Sequence, residues 1–573
     1  MQPSAADDEH AAFLNSSGAN TPPPFSLDDD PDPGDVFARR GLLSDVEKKQ
    51  PQRSSWWRFC WSCCGLGYLV AGCFYRRRSE RRILGLVLKA ALAFTVTLLV
   101  LTPFLAPSYL HPPAHYSRLA ARCKAVYDEP DNTIDGTHGC ANMFDEKVFI
   151  SVSLYDKDGH LAAGEWGRSL LELVRLLGPS NVFVSIYEND SGRRGATALE
   201  HLRRLLPCRN AVVYDYDVPL DLFPNITLPD GTQHTKRLAY LAEMRNRALR
   251  PLDTLDAVNG IIFDRVLFLN DIAFRPLDAA QLLFSTNVVN IVGSRGGGRA
   301  QYLAACALDY KTPLVFYDRY AQRDAEGFSN GLPIFPIFSR AGQGLSRADM
   351  LAQTDAVRVQ SCWGGMVAMD ARYIQHRNTS LPTPDFQAVG HHVVDPVHPT
   401  GAAAPVRFRH EPEVFFDASE CCLLLADVAE AARRVGVASV SGVAGVAGVA
   451  DAADAAAVFV NPYVRVAYDS TTLHRLRIVQ YWERLFVLPQ ALISYWTGLP
   501  MHNPYRQVRA GDAFVEEVWN SQAQSWSLET RTGRNGLFCG VREMQIIDER
   551  PRTEDKNWAS VAIPLGQALD FPS

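Results

Sequence analysis

The stretch FDRVLFLNDIAF, Phe263 to Phe274, holds an apolar run of Val266, Leu267, Phe268 and Leu269 that breaks into Asn270 and Asp271. The run has the make-up of a strand buried on both faces. Asn and Asp stop strands by bonding their own backbone, so a turn accounts for the pair. A carboxylate at the end of a central strand is a second account, because open α/β sheets take ligands beyond the carboxyl ends of their strands. The flanking sequence separates the two.

Upstream, strand-like runs alternate with helical spacings. KVFISVSLYD (147–156) reads as a strand, and EWGRSLLELVRLLG (165–178) as a helix ending at Gly178. NVFVSIYENDSG, TALEHLRRLL, NAVVYDYD and RLAYLAEMRNRALRPL continue the pattern as strand, helix, strand and helix, and FDRVLFLND closes it as a fourth strand. This order predicts an α/β domain with a mainly parallel sheet covered on both faces. The strand ends carry Tyr155-Asp156, Glu188-Asn189-Asp190, Asp215-Tyr216-Asp217 and Asn270-Asp271. Four acidic ends in succession favour a ligand site over four unrelated turns.

A nucleotide-sugar donor suits such an edge. Its diphosphate leaves with charge that a divalent cation neutralises, held by one or two carboxylates and the phosphate oxygens. Many glycosyltransferases with a single nucleotide-binding sheet use Asp-x-Asp for this. Asp215-Tyr216-Asp217 fits the letter of that motif; Asn270-Asp271 fits its position, after the long helix and the fourth strand. Asp271 is therefore the expected metal ligand and a catalytic residue, with Asn270 beside the donor. Tyr155, Glu188 and Asp190 are expected to border the donor. Arg245 is expected to reach the diphosphate with its planar fork; a surface arginine on an amphipathic helix is the plain alternative. Trp363, Gly364 and Gly365 are expected on the acceptor side. An aromatic can stack on a pyranose, and glycines let backbone approach closely; a core tryptophan is the alternative. Asp318 is placed with the acceptor. Glu420, two helical turns before Asp427, is the second catalytic candidate, a carboxylate near the anomeric carbon. A helix-start acid is its alternative.

The chain has 573 residues, 47% hydrophobic, with a net charge of −6. That mild acidity argues against a nucleic-acid partner. Residues 1–75 read as a disordered cytosolic tail and juxtamembrane segment, with DDDPDPGD at its most acidic. Ile83–Leu101 is an apolar stretch carrying only Lys89, long enough to span a bilayer. Arg76, Arg77, Arg78, Arg81 and Arg82 precede it, and no Lys or Arg follows until Arg118. The positive-inside rule puts the amino terminus in the cytosol and the rest across the membrane. Residues 102–140 read as a stem, 141–545 as the lumenal domain and 546–573 as a carboxyl-terminal tail. Of twelve cysteines, eight follow the span and are candidates for disulfides in an oxidising lumen, with pairing unreadable from sequence. Asn225 and Asn378 are the plausible glycosylation sequons.

Several strings together resemble one family: NVFVSIYENDSG, AEMRNRAL, VLFLNDIAF, CALDY, FYDRYAQRDAEG, QSCWGGMVAMDA, RFRH, SECCLLLADV and NPYVRVAYD. Residues 145–545 are similar to the fungal alpha-1,3-mannosyltransferase family of the cryptococcal capsule-associated proteins, glycosyltransferase family 69. The resemblance implies a single-pass type II Golgi membrane protein with a lumenal GT-A-like domain. It implies transfer of mannose from GDP-mannose, in alpha-1,3 linkage with retention, to a mannose-containing glycan or polysaccharide. Manganese is the implied cofactor, with magnesium as the other cation. Two departures stand out: a Val-Gly-Ala repeat at about 437–456, which reads as a flexible insert, and Arg193-Arg194 after ENDSG. The rival from another class is a non-catalytic membrane protein supporting capsule or cell-wall polysaccharide assembly or export.

Overall fold

The computed structural model describes residues 68–128, 139–216, 218–253, 260–289, 298–375, 405–434, 458–548 and 557–569. The Val-Gly-Ala insert, Asn378 and Asp217 lie outside the described residues.

The alternation read from the sequence is present almost residue for residue. β1 (Val148–Leu154), α3 (Glu165–Leu177), β2 (Val182–Asn189), α4 (Gly192–Leu205), β3 (Arg209–Asp215), α5 (Arg237–Leu249) and β4 (Arg265–Leu269) follow one another. Before them come α1 (Tyr68–Leu105) and α2 (Ala114–Asp128). After them come α6 (Pro276–Ser285), β5 (Ala304–Thr312), α7 (Leu345–Ala352), β6 (Val357–Ser361), β7 (Met366–Asp370), α8 (Glu420–Arg434), β8 (Val458–Ala467), α9 (Ser470–Val479) and α10 (Val487–Trp496).

The central sheet runs β6-β8-β5-β7-β4-β1-β2-β3, with the short strand Arg323–Asp324 outside β6. β3, β2, β1 and β4 are mutually parallel. β7 runs against both β4 and β5, so the parallel half ends there and the sheet is mixed. Parallelism brings the carboxyl ends of β1 to β4 to one edge. Val152 lies opposite Leu269 and Leu154 opposite Glu188, so the acidic strand ends are neighbours in space.

Alternate residues feed two cores. Val148, Ile150 and Val152 face a cluster with Leu170, Leu173 and Leu282, whereas Phe149, Val266 and Phe268 face one with Phe408, Leu424 and Val428. Each such side chain contributes about 1.5–3 kcal/mol when fully buried. The helix α5 is buried on nearly every side, Arg237, Glu243, Arg245 and Asn246 included. It carries its polar groups inside because each meets a partner: Asn246, for example, exchanges two hydrogen bonds with the backbone of Phe408, at 2.8 and 2.9 Å.

Three regions differ from expectation. The described part of residues 102–140, read as a stem, holds α2 and packs onto the body. Tyr109 donates to the Met350 carbonyl at 2.9 Å, Asn461 donates to the Tyr116 hydroxyl at 2.6 Å, and Cys123 pairs with Cys140. Aromatic side chains at the start of the segment make this possible by filling the edge of the core. Residues 546–573, read as a tail, begin inside the fold: Ile546 and Ile547 pair with Ala559 and Trp558. Trp558 is held by Arg237, whose guanidinium lies 4.7 Å from the ring centre. The apolar helix also runs longer than 83–101: Arg82–Leu105 is one continuous helix, long and apolar enough to cross a membrane and exposed along most of its length.

Candidate functional site

At the junction of β4, β5, β7 and α8 a small cavity of about 20 Å³ is lined by Arg245, Asn270, Asp309, Asp318, Trp363 and Glu420, among others. Five of these were expected from sequence, on segments far apart in the chain.

Asn270 sits where β4 ends. Its amide N–H donates to Gly365 O at 2.9 Å, its carbonyl accepts Trp166 Nε1 at 3.0 Å, and its side-chain oxygen accepts Trp363 Nε1 at 3.3 Å. It is thus a strand terminator that also fixes two indoles. Asp271 follows, half-buried, and its Oδ1 is shut from solvent with no hydrogen-bond partner. A carboxylate oxygen left so is costly unless a ligand completes it.

Arg245 is a buried charge on α5. The plain reading, a surface arginine, is corrected. Its Nε lies 3.1 Å from Glu420 Oε1, and its guanidinium lies 5.1 Å from the Trp363 ring centre. Phe268 and Phe408 flank it at 5.8 Å each. Glu420 is therefore more than a helix-start acid: α8 begins there and aims it into the cavity against Arg245. Asp427, two turns on, turns elsewhere, into a two-pronged pair with Arg409 at 2.7 and 3.0 Å.

Asp318 accepts backbone N–H groups from Ala321 at 3.0 Å and Gly364 at 3.1 Å. Burial raises its carboxyl above the usual range; those two hydrogen bonds and the Arg323 and Arg245 charges oppose the rise. Its own N–H donates to Asp309, which also accepts from Tyr468 at 3.2 Å. Asp309 and Tyr468 were missed in the sequence. The available signal was a carboxylate inside the apolar run of CALDY and a tyrosine closing the strand of NPYVRVAYD. Tyr320 was missed too; its hydroxyl is buried without a hydrogen-bond partner, and burial holds it protonated well above its ordinary range.

Trp363, Gly364 and Gly365 take a different task from the one expected. A Cβ on Gly364 would lie 2.0 Å from Ala307 O, and one on Gly365 2.8 Å from Ile272 Cγ2. Both have positive φ, 61° and 66°. The close approach these glycines allow is to β5 and to Ile272. Trp363 is buried, its ring covered by Arg245, so it lines the cavity without an open stacking face.

The donor candidates of β1 and β2 lie at the same sheet edge but outside the cavity. Tyr155 packs with Tyr187, Leu238 and Tyr240. Glu188 is wholly enclosed under the first turn of α4, where a Cβ on Gly195 would come within 2.7 Å of it. Burial pushes it up to about 7, with a hydrogen bond from Ser191 opposing and the Asp156 charge adding to the rise. Asp190 adopts φ +60° and accepts from Asn189 at 2.9 Å. Asp215 of the Asp-x-Asp is engaged internally, accepting from Tyr187 at 2.8 Å and Arg247 at 3.0 Å. Among the described residues no group of three or more His, Cys, Asp or Glu side chains could alone cage a metal.

Two more disulfides brace the cavity. Cys306–Cys362 ties β5 to the residue before Trp363, and Cys422–Cys539 ties the first turn of α8 to the carboxyl-terminal region. Arg323, fully buried, donates to the carbonyls of Tyr320, Gln322, Phe538 and Cys539 and locks the Tyr320 loop to the same region.

Residues 147–427 match the family model described as cryptococcal mannosyltransferase 1. That segment is similar to the family. It begins at β1 and ends within α8, so it takes in Arg245, Asn270, Asp271, Asp309, Asp318, Trp363 and Glu420. No curated protein matches the chain. A similar solved structure is the mannosyltransferase PcManGT from Pyrobaculum calidifontis in complex with GDP-Man and Mn2+. It is 11% identical, with a TM-score of 0.26, covering 69% of this chain and 74% of that one.

Proposed function

We propose that the protein is a membrane-anchored mannosyltransferase that takes mannose from GDP-mannose and transfers it, in alpha-1,3 linkage with retention, to a mannose-containing glycan. The observation that carries this is the unsatisfied Asp271 Oδ1 at the end of β4, next in the chain to Asn270, which lines a cavity with a caged arginine and a carboxylate. A single strand-end carboxylate fits a cation whose other ligands are the donor's phosphates and waters, which is how such ions are commonly held. Asp271, with Asn270 beside it, would hold manganese or magnesium; the cation would neutralise the departing diphosphate.

The chain's own groups do the rest. Arg245, pre-set by three aromatic rings, presents a planar fork to phosphate oxygens. Glu420 is held by that arginine on the cavity wall, where it stabilises positive charge developing at the anomeric carbon. Asp309 and Asp318 hold the Tyr317–Ala321 loop and border the acceptor. The strand order 3-2-1-4 with an antiparallel neighbour supports the GT-A-like reading. Glu188, Asp190 and Tyr155 support the donor end of the sheet from outside the cavity. A purely structural protein gains nothing from so many buried ionisable groups around one cavity.

In this reading α1 crosses the Golgi membrane, residue 1 is cytosolic, and the domain is lumenal. The arginine cluster before the span supports that orientation, as do three disulfides after it. Asn225, exposed in a small hairpin, suits a glycan, whereas Asn189 is enclosed in β2. The test is turnover of the purified protein with a panel of nucleotide sugars, with and without manganese. Metal-dependent consumption of GDP-mannose with an alpha-1,3-linked product is expected. Turnover of another donor alone, or none with any, overturns the reading.

A further inference from the structure

The helix α10 is inside out. Its buried side chains are polar: Gln490 Nε2 donates to Ile337 O at 3.2 Å, and Ser494 Oγ accepts the N–H of Leu332 at 2.8 Å. Its outward side chains are apolar, with Leu488 72%, Leu492 54%, Tyr495 81% and Trp496 75% exposed. No charged residue occurs from Val487 to Gly498. A surface helix of a water-soluble domain has the opposite arrangement. Contiguous apolar surface of this kind marks a contact site.

The position of α10 says what covers it. Just before it, Trp482 donates its indole N–H to the Leu99 carbonyl of α1 at 3.0 Å, and Gln480 O accepts the N–H of Ser108 at 2.9 Å. The last residues of α1, Phe104 and Leu105, are themselves bare. The α10 segment is therefore fastened to the apolar helix near its exit from the bilayer. Tyr481, Tyr495 and Trp496 are of the residue types that gather at membrane interfaces. Arg475 and Arg477, exposed on α9, suit lipid phosphates.

We propose that α10 lies in the lumenal leaflet as an interfacial helix, a second membrane contact that presses the domain onto the bilayer. This rests on α1 being the span. Such helices bury their apolar face about 5–10 Å into the headgroup and acyl boundary.

The test uses the full chain in phosphatidylcholine nanodiscs whose lipids carry a diazirine on the acyl chain. After irradiation, adducts are mapped by mass spectrometry. Adducts are expected on 82–105 and also on 487–498, with the exposed hairpin Ala513–Thr532 as the unlabelled control. The double variant Leu492→Glu, Trp496→Glu should keep its melting temperature in detergent and lose adducts on 487–498 by roughly tenfold. Labelling of 82–105 with 487–498 as clean as the hairpin overturns the proposal and leaves the span intact. No labelling of 82–105 overturns the span. Protein–protein cross-links through 487–498 in place of lipid adducts would show that a second copy, not lipid, covers the face.

Discussion

Asp271→Asn keeps the size and turn chemistry of the residue and removes one negative charge, so its effect separates a ligand from a strand stop. The expected result is a folded protein with transfer reduced on the order of a hundredfold, comparable to losing one preorganised electrostatic contact. Steady-state turnover across a manganese titration measures it, and unchanged turnover would remove the metal from β4. Asp215→Asn should act differently. It loosens ties to Tyr187 and Arg247, so it should lower stability by about 1–3 kcal/mol and leave the metal requirement unchanged. Denaturant melts with parallel assays distinguish the two.

Glu188 gives a pH signature. Its carboxyl is raised from 4.5 to about 7, so in that window the folded chain holds a proton that the unfolded chain releases. Stability therefore falls as pH rises through the window, by on the order of 3 kcal/mol. Glu188→Gln removes the dependence. The variant should melt higher than the parent above pH 7 and match it near the unfolded value of 4.5. Melting curves that stay parallel at every pH would refute this.

At the scale of elements, the β6–β7 crossover depends on two glycines with no room for a side chain. Gly364→Ala places a methyl into the Ala307 carbonyl at positive φ and breaks the approach that lets Gly364 N–H reach Asp318. The loss should be about 3 kcal/mol or more, read as a large drop in denaturation midpoint. The elements from β1 to β4 were legible because each is local: period-2 and period-3.6 patterns lie within a dozen residues. Their burial was legible too, in the unbroken apolar strands. What α5 buries was not. Arg237 and Arg245 look like a wetted face, and only their distant partners Gln545 and Glu420 make burial tolerable.

For the whole molecule, the same limit applies to the cavity. Asn270-Asp271 and Glu420 were readable as candidates because strand ends and helix starts carry local marks. The pairing of Asp309 with Asp318 and Tyr468, and the joining of Cys422 to Cys539, depend on chain paths that no local pattern encodes. Topology has its own test. A carboxyl-terminal tag in sealed microsomes should resist protease until detergent is added, and digestion without detergent would reverse the proposed orientation. Reductant should lower the melting temperature, since three cross-links constrain the unfolded chain.

The place of β8 has a consequence for how the protein is made. It lies between β5 and β6 in the sheet, yet β6 ends at Ser361 and β8 begins only at Val458. At roughly 5–20 residues per second, a nascent chain waits several seconds with a slot open in its central sheet. The family segment at 147–427 stops inside that interval. Ribosome-stalled chains ending before Val458 should therefore stay protease-sensitive and bound to chaperones, and chains extended past Ala467 should become resistant. A fragment cut to the family boundary would be a sheet held permanently at its unfinished stage.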